Sequence, residues 1–151
     1  MQTILIANMR AAIVAMWALI HPGLPASGDG PEVAADIAQA VVEDGENAPV
    51  YSSHAEDAAL MAYYAYRESW LRSSAVDAAG CMGVWQFCSP IGRASILTQA
   101  RAWLRLLHDG KALCPDSPAA PLSGGCAQAR GLADRRGQRA RELLGRVLGV
   151  Q

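Results

Sequence analysis

Phenylalanine is almost missing from this 151-residue chain: one Phe stands against four Trp and four Tyr. The aromatic surface is therefore carried by rings with a polar handle, which suit ligand stacking as well as core packing. Basic charge is nearly absent from the front of the chain. Residues 1–60 hold one basic residue, Arg10, against eight acidic ones. The formal net charge of −1 gives no general electrostatic reason to expect a nucleic-acid partner. No uninterrupted apolar run reaches the length of a membrane span; Ala11–Ile20 stops at ten residues, about half of what a span needs. Cysteine pairs of the CxxC kind are missing, and none of the three His (His21, His54, His108) stands at ligand spacing to a Cys. A zinc site is thereby excluded as the organising feature. The glycines between Gly23 and Gly30 lack a following Lys-Ser/Thr and a preceding strand pattern, so no phosphate cradle is present. Nothing in the chain calls for a cofactor or a metal.

What remains is a chain that is 52% hydrophobic and 18% charged, too apolar for intrinsic disorder and long enough for one domain with a core. Helical periodicity dominates, so the expected fold class is mainly α. Leu5, Met9, Ile13, Met16 and Ile20 recur at helical spacing near the front. Arg10 before the apolar run and Pro25-Ala26-Ser27 behind it also fit a secretory signal peptide. Residues 1–26 are therefore either a core helix or a leader, with the domain proper over 27–151. His21-Pro22-Gly23 ends the helix in both cases.

A second helix is expected over Pro31–Val42, with Val33, Ala34, Ile37, Ala38 and Val41 inward and Pro at its first turn. A third should run from His54 to Leu71 behind the capping box Ser53-His54-Ala55-Glu56. A fourth carries Ile96, Ala100, Trp103, Leu104 and Leu107 and ends at Asp109-Gly110. The stretch from Cys114 to Gly125 reads as a loop. Arg139–Leu148 closes the chain as an Arg-rich helix with Leu143, Leu144, Val147 and Leu148 inward. Residues 128–151 hold six Arg against Asp134 and Glu142. That basic end is either one solvated face of the domain or a contact for an anionic polymer.

The four cysteines, Cys81, Cys88, Cys114 and Cys126, allow three pairings. Local pairing, Cys81 with Cys88 and Cys114 with Cys126, would staple two Gly- or Pro-containing loops with little core of their own. Four reduced, buried thiols remain the alternative.

The chemistry-bearing segment is Ser53–Ser89. Leu60, Tyr64 and Glu68 fall at i, i+4 and i+8, which sets Glu68 near the C-terminal end of an otherwise apolar helical face. Lost hydration and the negative helix end both favour the protonated carboxyl there, the form a general acid needs. The alternative is a structural bridge from Glu68 to Arg67, Arg72 or a C-terminal Arg. Arg67-Glu68-Ser69-Trp70 is followed by Gly80-Cys81-Met82-Gly83-Val84-Trp85-Gln86.

This segment, roughly residues 53–90, resembles the lytic transglycosylase and goose-type lysozyme group of the lysozyme-like superfamily. That group carries a Glu-Ser pair at the end of a buried helix, then a tongue and a Gly-Ala-x-Gly-Leu-Met-Gln-like segment. Here Cys81 stands for the Ala and Val84-Trp85 for Leu-Met.

The resemblance implies a lysozyme-like single domain with a short tongue after the catalytic helix. It implies cleavage of the β-1,4 linkage between N-acetylmuramic acid and N-acetylglucosamine in peptidoglycan glycan strands. Glu68 would be the catalytic acid/base and Ser69 its polar neighbour. Gln86 would line the saccharide cleft, and Gly83 would allow close backbone approach. Trp85, Trp70, Tyr63 and Tyr66 could offer ring faces to sugar, with core packing as the alternative; Trp103 belongs to a core stripe. Asp77, the only acidic residue between Glu68 and Asp109, could flank the cleft or only shape a turn. The later Tyr-Asn cleft element has no counterpart: no Tyr follows Tyr66, no Asn follows Asn47, and Leu122–Ala127 supplies only a Gly-Gly turn. That departure fits a second reading, a weakly catalytic or inactive peptidoglycan-binding or phage structural module. The resemblance points to a secreted, periplasmic or virion-associated protein; a monomer is assumed.

Overall fold

The computed structural model describes residues 2–45, 54–114 and 130–149, without the side chains of residues 130 and 132–134. Five helices dominate: α1 (Gln2–Ile20), α2 (Gly30–Asp44), α3 (His54–Ser69), α4 (Ile96–Leu113) and α5 (Arg130–Leu148). Short 3-10 turns cover Leu24–Ala26 and Pro90–Arg93. Among the described residues no strand forms; two isolated bridges, Val76–Met82 and Met82–Phe87, pin the tongue between α3 and α4. The class is all-α, as the periodicity required.

The α2 stripe is buried as read from the sequence, including Val33, Ile37 and Val41. This helix packs between α1 and α4, while α3 packs on α1, α2 and α5. The first helix differs from its expected stripe. Leu5 is exposed, and Ile13, Met16 and Trp17 are the buried positions. Trp17 donates its indole N–H to the Ala62 carbonyl of α3 at 3.0 Å, which satisfies the one polar group of a ring wholly removed from water. Together with Leu24, these side chains join the same core as α2–α5. The most apolar 18-residue window of α1 (Gln2–Ile20) has a mean hydropathy of 1.8. By length and composition alone it could cross a membrane, which the ten-residue run had understated.

Helix α4 begins at Ser95, whose hydroxyl accepts the Thr98 N–H. It runs past Gly110 to Leu113, three residues beyond the expected stop. Gly110 is buried within the helix and its carbonyl accepts the Cys114 N–H at 2.7 Å. On the same turn Lys111 reaches the buried carboxylate of Asp57 at 2.7 Å. These tertiary anchors outweigh the modest helix penalty of one glycine. Next to them, His108 Nε2 lies 3.4 Å from Asp44 and 3.6 Å from Asp57.

Helix α5 begins nine residues earlier than expected, and Leu148 is exposed rather than inward. The extra turns carry no apolar stripe, so periodicity could not find them. Among their described side chains, Arg136 makes an inward contact.

Candidate functional site

Helix α3 ends abruptly. Trp70 and Leu71 both adopt left-handed backbone (φ 52° and 64°), an uncommon conformation for bulky residues. The Leu71 N–H returns to the Ala65 carbonyl at 3.3 Å and the Trp70 N–H to the Tyr66 carbonyl at 3.0 Å, bonds that close the helix end. Burial of Leu71, fully removed from solvent, holds the turn. Ser69 is built into it. Its hydroxyl donates to the Ala65 carbonyl at 3.0 Å and accepts the Arg72 N–H at 3.2 Å. Ser69 is thus a buried fastener of the helix end rather than a group turned to solvent.

Glu68 sits on this last turn, 32% exposed. Its Oε1 accepts from the Arg136 guanidinium of α5 at 2.6 Å. Arg136 is only 14% exposed, and its guanidinium carbon lies 4.9 Å from the centre of the Tyr64 ring, a cation–π contact. Tyr64 packs in turn on Trp103 of α4, with ring centres 5.2 Å apart. The Arg136 Nε is buried without a hydrogen-bond partner. Among the described residues, Glu68 Oε2 likewise has no hydrogen-bond partner, so one oxygen is bridged and the other open. Of the two alternatives for Glu68, the bridge to a C-terminal arginine is therefore present in this conformation.

The tongue runs from Ala75 to Cys88 and is closed by the Cys81–Cys88 disulfide. Met82 and Phe87 exchange both backbone hydrogen bonds, at 2.9 and 2.8 Å, around the loop 83–86. Cys114 is also disulfide-bonded; its expected partner, Cys126, lies outside the described residues, as does the expected Leu122–Ala127 turn. The capping Ser53 lies outside them too.

Four expected site residues turn out to build the tongue. Gly83 has φ 89°, and a Cβ there would lie 2.3 Å from Gln99 Oε1 and 2.7 Å from the Gly92 carbonyl. Its close approach serves internal packing. Gln86, also left-handed at φ 56°, donates its side-chain N–H groups to the carbonyls of Ala75 and Gly83 at 3.0 and 2.9 Å. Trp85 is buried and donates its indole N–H to the Met61 carbonyl at 3.0 Å. Asp77 is exposed, and its Oδ1 accepts the N–H groups of Ala79 and Cys81 at 2.8 and 2.9 Å. This is a turn-forming carboxylate. Trp103 is core, as expected. Tyr63, Tyr66 and Trp70 form a contiguous row with ring centres 6.0 and 5.2 Å apart. Trp70 is about half exposed, so of the four proposed stacking rings it offers the most free surface.

Two residues that sequence reasoning missed organise this region. Gln99 of α4 is 1% exposed. It accepts the Val84 N–H at 3.0 Å and donates to the carbonyls of Ala94 (2.9 Å) and Gly92 (3.4 Å). The available signal was a polar residue on the stripe between Ile96 and Trp103. Asp29, before α2, accepts the Ser73 N–H and hydroxyl, both at 2.7 Å. Those two bonds, the backbone one foremost, hold its carboxyl below the usual carboxylate value. No local pattern marked a contact across so many residues.

No protein-family model, curated protein or solved structure matches the chain.

Proposed function

We propose that this chain is a lysozyme-like domain that cleaves peptidoglycan by the single-carboxylate, lytic-transglycosylase route. The observation that carries the reading is the contrast between its two candidate carboxylates. Asp77 lies in the tongue, where its Oδ1 accepts two of the tongue's own N–H groups, whereas Glu68, about a third exposed, stands at the end of α3 beside the turn that carries the half-exposed Trp70 ring, its Oε1 bridged to Arg136. Glycosidases that hydrolyse by inversion or retention normally use two carboxylates. One suffices when the sugar's own acetamido group assists departure. Glu68 would protonate the glycosidic oxygen, and its carboxylate would then take the proton of the 6-hydroxyl as that oxygen closes the anhydro ring. The exposed Trp70 ring would offer a stacking face to sugar. The disulfides fit an oxidising compartment.

A second reading, a peptidoglycan-binding module with weak or no catalysis, is favoured by one observation. The Arg136 guanidinium holds Glu68 Oε1 at 2.6 Å, so that oxygen is tied up in a charge-assisted bridge rather than turned to a glycosidic oxygen.

The deciding experiment treats purified peptidoglycan with the wild type and with Glu68→Gln, and reads released fragments by mass spectrometry. Anhydro-muramyl fragments from the wild type alone are expected. Reducing-end products would make the protein a hydrolase. Absence of fragments from both, with retention on intact sacculi, would replace the enzyme by the binding module.

A further inference from the structure

Arg136 is more than a bystander to Glu68. It is the sole charged partner of that carboxylate among the described residues, and it comes from a different helix, 68 positions further along the chain. Arg67 is exposed, and the Arg72 guanidinium is turned to the Ser69 carbonyl at 3.1 Å. The pair cannot persist through the proposed reaction, because the guanidinium occupies Glu68 Oε1 at 2.6 Å and bars that oxygen from the scissile bond.

Two further observations show how the pair can open without loss of the fold. The C-terminal half of α5 is anchored, since Ala140 and Leu143 are buried in the core. The N-terminal half, which bears Arg136, contains Gly131 and Gly137, residues that weaken a helix interior. A Cβ at Gly137 would meet only the far end of the Arg141 side chain, at 3.5 Å. No close packing therefore requires glycine there. Arg136 also leaves a buried Nε–H unsatisfied, an uncompensated donor that lowers the cost of leaving the closed position.

We infer that Arg136 is a latch on Glu68. The proposed glycan-cleaving site is closed while the bridge stands, and it opens when the first turns of α5, up to Gly137, unwind from Tyr64 and Glu68. This inference rests on the proposed peptidoglycan-cleaving function.

Three variants of the full chain test it: Arg136→Gln, Arg136→Lys and Gly137→Ala. Removing the guanidinium should raise fragment release about fivefold, the scale of one partly exposed ion pair. Arg136→Lys keeps the charge and should stay near the wild-type rate. Gly137→Ala should raise the melting temperature yet slow release roughly fivefold, the population change set by glycine-to-alanine helix propensity. If Arg136→Gln is folded but no faster than an active wild type, the latch is wrong and the enzyme reading stands. If Arg136→Gln does not fold, Gly137→Ala decides: greater stability without slower release also refutes the latch. If neither wild type nor any variant releases fragments, the enzyme reading fails and the latch with it.

Discussion

Gln99 is the side chain on which the tongue hangs, and its replacement by methionine isolates that role. Methionine has nearly the same length and no hydrogen-bonding head, so packing volume is largely kept. Three contacts vanish: acceptance of the Val84 N–H at 3.0 Å, and donation to Ala94 at 2.9 Å and to Gly92 at 3.4 Å. Val84 is wholly buried, so its N–H has no water to turn to, and a buried orphan donor costs about 1–3 kcal/mol. The bond to the half-buried Ala94 carbonyl adds about 0.5–1.5 kcal/mol, and the long one to Gly92 little. The expected loss is about 3 kcal/mol, which for a domain of this size lowers the melting temperature by roughly 6–12 °C. Denaturant unfolding followed by circular dichroism measures it. Hydrogen exchange supplies the local readout: the Val84 amide should lose its protection while the Trp17 region of α1 keeps its own relative to the new global stability. A loss below about 1 kcal/mol, or unchanged protection at Val84, would refute the reasoning that Gln99 suspends the tongue.

Other perturbations follow from the same geometry. Replacing Cys81 and Cys88 by serine opens a loop with a sequence separation of 7, which loop entropy values at about 2.5 kcal/mol; urea unfolding of the double variant under non-reducing conditions checks it. Asp29 has a folded-state carboxyl below its ordinary value of 3.8 because the Ser73 N–H, then the Ser73 hydroxyl, bonds the ionised form. Its contribution is thus complete above that value and is lost as pH falls below it. The stability gap between wild type and Asp29→Asn should therefore be constant from about pH 5 to 7 and shrink in more acidic solution, as read by thermal unfolding across pH.

Much of the architecture was legible because burial repeats along the chain. Val33, Ile37 and Val41, or Ala100, Trp103 and Leu107, recur at the helical period, and each stripe lies in the core. The tongue's closure was legible as well, since Cys81 and Cys88 bracket a segment with little core of its own. The third helix was expected to end at Leu71 and stops at Ser69, two residues earlier.

What only the tertiary structure decided is the employment of the polar side chains. Local sequence sets the face on which Glu68, Gln86 or Asp77 stands, because backbone geometry fixes side-chain direction. It does not set the partner, because a hydrogen bond or ion pair depends on which distant segment arrives at that face. Asp77 and Gln86 spend their polar atoms on the tongue's own backbone. Gln99 reaches from α4 to the same loop. The arginine facing Glu68 comes from a helical segment without an apolar stripe, visible only once α5 lies along α3. Periodic burial is a property of one segment and can be read from it; the pairing of isolated charges is a property of the packed chain.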